Sequence, residues 1–222
     1  MKLRLQITKE RSIRFVSHLD FLRAIERSIR RAQLPVAYSE GFNPHMKFSL
    51  ASALGVGIVS YAEFMEMEMA VPVEIDFAKE KLSQALPRGI RILAADFVAN
   101  NETPLMAQAA FAKYQVTLCG NGKDFAETIN KFNEAKNVIY KKPAPKRKEK
   151  FKEVDLKNFV DKIEAKINQD KIICNFEVKI FTEGSVKAID IINSFGLEYK
   201  NADIERLAIF RQGHLPMLNE TK

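Results

Sequence analysis

Between Ser17 and Pro35 the chain writes both ends of a helix, and that helix constrains the possible fold more than any other segment. Ser17 followed three residues later by Asp20 fits a capping pair, in which short polar side chains accept from N–H groups that the first turn leaves unpaired. Pro35 stops the helix, because it lacks an N–H and biases Leu34 towards extended geometry. At about 100° per residue, Leu22, Ile25, Ile29 and Ala32 share one face while Arg23, Arg27, Arg30 and Arg31 share the opposite one. The spacing predicts a helix that packs on one side and is cationic on the other.

The flanking segments alternate as strands do. Lys2 to Thr8 puts Leu3, Leu5 and Ile7 on one face; Met46, Phe48 and Leu50 alternate with Lys47 and Ser49. Tyr61 to Val71 sets Met65, Met67 and Met69 opposite Glu66 and Glu68. Gly55 and Gly57 predict a hairpin connection, since they lack the third glycine and following helix of a dinucleotide site. A helix over 76–86, with Phe77, Leu82 and Leu86 as core candidates, ends at Pro87-Arg88-Gly89, and a strand over 90–98 follows. The order β-α-β-β-α-β is the split βαβ of ferredoxin-like domains.

Residues 99–110 are polar, contain Pro104 and predict a linker. A fainter second pass follows: strand 111–119, helix 123–134, a basic connector 141–152, strands near 153–168 and 171–181 turned by Gln169-Asp170, and helix 185–195. A last strand near 204–210 and a loose tail, 213–222, complete the chain. The expected fold is therefore α+β, with two tandem ferredoxin-like domains at 1–98 and 111–212 and no residue-level repeat between them.

The net charge of +7 suggests a polyanionic partner, yet Lys141 to Lys152 holds seven bases and one acid. Everything outside that segment sums to about +1, so the basicity is local. The segment suits a solvated connector kept extended by Pro143 and Pro145, or an arm whose Lys146, Arg147 and Lys148 contact phosphate by counterion release. No apolar run reaches the roughly 18 residues a membrane span needs, and no signal-peptide pattern opens the chain, so a cytoplasmic location and no membrane partner are expected. Cys119 and Cys174 sit apart in apolar runs and predict buried, reduced thiols. Without a closely spaced cysteine trio the chain cannot ligate a radical SAM type iron–sulfur cluster.

RFVSHLD, the arginine-rich helix, LPVAYSEGFNPH and KFSLASALGVG together resemble the N-terminal signature of the radical-SAM-linked domain family. The likeness is specific over roughly residues 1–70; Met46 stands where that signature leads one to expect a second proline. The resemblance implies encoding beside, or fusion to, radical SAM proteins with a cobalamin-binding region. Iron–sulfur cluster, S-adenosylmethionine and cobalamin would then belong to the partner, and this chain would bind no cofactor.

The site residues concentrate in the same stretch. The arginines Arg23, Arg27, Arg30 and Arg31 are planar multi-donor groups suited to phosphate or carboxylate, although Asp20 and Glu26 at helical spacing engage some of them. Ser39, Gly41, Asn43, His45 and Lys47 form or border a turn-rich loop expected to fold back against the C-terminal end of the helix, where Arg30 and Arg31 can reach it. His18, Tyr38, His45 and Lys47 are the catalytic candidates. Three histidines without ligand spacing predict no metal site. These features support an accessory module presenting RNA or another anionic substrate to a radical SAM enzyme. The alternatives are a metal-independent RNA-cleaving enzyme, analogous in fold to CRISPR RNA-processing endonucleases, and a structural scaffold.

Overall fold

A computed structural model describes residues 1–119, 122–144, 149–168, 171–181, 186–196 and 202–218, apart from the side chains of 122–124. The fold is mixed α+β, and antiparallel strand pairing dominates it. Two compact units divide the chain: 1–109 with 209–222, and 110–208. No helix among the described residues is long and apolar enough to cross a membrane.

In the first unit β1 (Lys2–Lys9), α1 (His18–Arg31), β2 (Phe48–Leu50), β3 (Val59–Glu68), α2 (Ile75–Ala85) and β4 (Ile92–Val98) follow one another. The strands lie side by side in the order β4-β1-β3-β2. Alternation did the sorting: Leu3, Leu5, Ile7, Met65 and Met67 are wholly buried, packed in one cluster with Phe21, Ile25 and Ile29 of α1 and Ala78 and Leu82 of α2. Burying each such side chain contributes about 1.5–3 kcal/mol relative to leaving it in water. Phe77 departs from expectation, for it is half exposed while Ala78 takes the core position. Leu86 is only partly buried, packed against the edge of the cluster.

The opposite face of β1 and β3 is covered rather than open. Arg4 and Glu66 are cross-strand partners, and Arg4 is 1% exposed. Residues 99–110, expected as a linker, carry a short helix α3 (Leu105–Gln108) with Leu105 buried. The described part of the tail is ordered too: Arg211 N–H donates to Leu215 O, Phe210 pairs with Pro216, and Met217 and Leu218 are buried. Both segments read as loose because what they serve is a buried arginine far away in sequence, through the Glu102 and Gln108 side chains and the Met217 carbonyl.

In the second unit β5 (Phe111–Cys119) pairs with β9 (Lys171–Lys179) along its whole length. Sheet order is β10-β5-β9-β8, with β8 (Ile163–Asn168) and β10 (Ala202–Phe210) outermost; α4 (Gly122–Glu134) and α5 (Ala188–Ser194) complete the unit. The expected long strand at 153–168 is broken, and its first part belongs elsewhere. The supposed connector overlaps the end of β6 (Ile139–Pro143) and the start of β7 (Phe151–Asp155), which form a two-stranded ribbon. Lys142 of that ribbon reaches Asp190 at 3.0 Å, and Lys141 lies over the Phe151 ring at 5.1 Å, so part of the lysine run is structural. Lys146, Arg147 and Lys148, like the Gln169-Asp170 turn, lie outside the described residues. Cys174 is buried and its thiol is pushed up to about 12 by desolvation, whereas Cys119 is exposed; both are free.

Candidate nucleic-acid interface

The cap of α1 is built as the residues require. Ser17 Oγ accepts from Asp20 N–H at 3.2 Å and donates to the Asp20 carboxylate at 2.7 Å. That hydroxyl, and then Arg23, hold the Asp20 carboxyl below its ordinary value. The loop feeding the helix is anchored from beneath by Lys9, a buried lysine on β1 whose Nζ donates to Arg14 O at 3.1 Å and Val16 O at 2.7 Å. Gly57 N–H donates to the same Arg14 carbonyl at 2.8 Å. Lys9 was not legible as a site residue, because a lysine ending a strand ordinarily points to water.

All four helix arginines are exposed. Arg23 pairs with Asp20 at 3.1 Å and Arg30 with Glu26 at 2.7 Å, both across single helical turns and both in solvent. The Glu26 contact raises the Arg30 pKa above its ordinary value. Arg27 and Arg31 make no hydrogen bond or ion pair with any described residue. The helix therefore keeps two cations in surplus.

The loop folds back on the far end of α1. Arg30 lies over the Tyr38 ring at 5.8 Å, within cation–π reach. Tyr38 pairs with Met46 across the base of the loop, and Lys47 N–H donates to Ala37 O. Above them Ser39 and His45 form a staple: Ser39 N–H donates to His45 O at 2.8 Å, His45 N–H to Ser39 Oγ at 3.0 Å, and Ser39 Oγ meets His45 Nδ1 at 2.8 Å. With Nδ1 engaged, Nε2 is the ring nitrogen left for another partner. Gly41 sits at φ +122°, a conformation that L side chains resist, and nothing lies within 4 Å of where a Cβ would be. Beyond it Phe42 is 108% exposed, more open than any other large apolar side chain described. Asn43, Pro44 and His45 are exposed as well, and Lys47 contacts Glu68 at 3.2 Å.

Tyr38, Ser39, His45 and Lys47 thus gather at the loop base with Arg30 beside them. His18 does not join them: twelve residues of helix separate it from Arg30, about 18 Å at roughly 1.5 Å per residue. No group of three His, Cys, Asp or Glu able to hold a metal occurs among the described residues.

Residues 2–188 match the family described as "Uncharacterized protein conserved in bacteria (DUF2344)". The chain belongs to this family. A search of curated proteins finds no match. Among solved structures, a chain of a Cbf5-Nop10-Gar1 complex aligns over 95% of this DUF2344 chain at 11% identity and a TM-score of 0.51. This protein covers 50% of that neighbour, and the likeness shows a shared fold alone. An unknown protein from Galdieria sulphuraria aligns over 92% of this chain and 96% of its own at 8% identity, with a TM-score of 0.26 that carries no argument.

Proposed function

We propose that this DUF2344 protein is an accessory binding module that presents RNA, or another anionic substrate, to a radical SAM partner. The observation that carries the binding half is the pair Arg27 and Arg31, exposed and unpaired on a helix whose cap and packing are complete. Guanidinium groups held on a rigid element lose little entropy when they take up phosphate. The covered Arg4 and Glu66 remove the centre of the β1–β3 face as a binding platform, which leaves the helix and its neighbouring loop. The radical SAM half rests on the sequence resemblance over residues 1–70. Tandem ferredoxin-like domains are the matching fold proposal, supported by the order fourth-first-third-second in each unit, with the β6–β7 ribbon inserted in the second.

Recognition fits these side chains better than catalysis. Tyr38, His45 and Lys47 are each engaged by a neighbour, and His18 stands a helix length away. The test is affinity capture with the intact chain, combined with fluorescence anisotropy on a labelled RNA. The expected outcome is a co-purifying radical SAM protein and salt-sensitive RNA binding. Recovery of neither would refute the proposal.

A further inference from the structure

Phe42 is the side chain that anion binding leaves unexplained. A phenylalanine fully in water at a loop tip forgoes the burial that ordinarily stabilises an aromatic side chain, and its loop is held at the base by the Ser39–His45 staple. Two residues separate Phe42 from each end of that staple, so its Cα stays within about 10 Å of the loop base. At that base stand Tyr38 with Arg30 over its ring and His45, whose Nδ1 is held by Ser39, and the helix that carries Arg30 ends at the exposed Arg31. Glu40 is the one carboxylate in the loop from Tyr38 to His45.

Aromatic faces interleaved with guanidinium groups are what single-stranded nucleic acid requires: unstacked bases lie on rings while phosphates lie on cations. A duplex hides its base faces, and a simple polyanion has none. The geometry points to single-stranded RNA as the ligand class, with an unpaired base stacking on Phe42 while its flanking phosphates meet Arg27 and Arg31. This rests on the RNA reading above and narrows it. Gly41 serves the same end, since open space around its Cα lets a nucleotide backbone approach beside the ring.

The chain contains no tryptophan, so Phe42→Trp installs a single emitting indole at the tip. Binding of a single-stranded oligoribonucleotide, the same sequence as duplex, and polyphosphate is measured for wild type, Phe42→Ala and Phe42→Trp. Phe42→Ala is expected to bind the single strand about tenfold more weakly and polyphosphate unchanged. Phe42→Trp is expected to restore affinity, with emission quenched by the single strand and not by polyphosphate. If wild type binds neither RNA nor polyphosphate, the RNA reading falls and this inference with it. If wild type binds the single strand and Phe42→Ala binds it equally well, this inference alone is overturned. It is also overturned if duplex binds as tightly as single strand, or if the indole responds to a partner protein and not to RNA.

Discussion

Arg4 and the pair Arg27 and Arg31 carry the same side chain in one structural unit and do opposite things. All five N–H groups of Arg4 are used: two on Glu66 Oε2, one on Glu102, one on Gln108 Oε1 and one on the Met217 carbonyl. Lys2 meets the other oxygen of Glu66 at 3.2 Å. Arg27 and Arg31 sit one helical turn apart in water with no such partners. Burial with full saturation turns an arginine into a structural clamp that holds two distant segments, while exposure without partners leaves a cation for something outside the chain. The surroundings assign the role, and each assignment can be broken separately.

Arg4→Met should produce the largest effect, a loss of about 3–5 kcal/mol, because Glu66 is left as a buried charge short of its main partner. Chemical denaturation should show a much lower midpoint, and native-state hydrogen exchange should rise across 102–108 and 215–218. Adding Glu66→Leu should recover most of the loss, since a buried pair replaced by apolar groups costs little. An unchanged midpoint in Arg4→Met would remove the clamp from the account.

Ser17→Ala should cost about 1 kcal/mol through the lost cap. The same cap has a pH signature: Asp20 is held below its ordinary value of 3.8 by the Ser17 hydroxyl and Arg23. A depressed carboxyl contributes stability that is complete above its unfolded value and disappears as pH falls through the lower folded value. Stability curves of wild type and Asp20→Asn should therefore differ at neutral pH and converge under strongly acidic conditions. Parallel curves down to the acid limit would show that the pair does nothing.

The comparison also explains what the residues disclosed beforehand. The α1 boundaries and the inward faces of β1 and β3 were legible because Ser17, Pro35 and the alternation around Leu5 and Met67 act locally. The arginine face and the Gly41 turn were legible for the same reason. Arg4 could not be seen as buried, since its cover comes from Glu102, Gln108 and Met217, residues that locally resemble a linker and a tail. Lys142 was absorbed into a mobile run because its partner Asp190 lies 48 positions on. Phe42 stayed invisible because an aromatic in a loop ordinarily packs inward, and only the folded loop shows this one standing in water.

Arg27→Ala and Arg31→Ala should have the smallest effect on stability, within about 0.5 kcal/mol, because both side chains are exposed and neither makes a hydrogen bond or ion pair with a described residue. For that reason they probe the central claim cleanly. The decisive measurement is the salt dependence of single-stranded RNA affinity for wild type and the Arg27→Ala, Arg31→Ala double variant. Each lost phosphate contact should flatten the slope of log K against log salt by about 0.7, so the double variant should bind more weakly and with a slope shallower by about 1.4. Wild-type affinity and slope in a fully folded double variant would contradict the account and leave this helix face with a solubilising role alone.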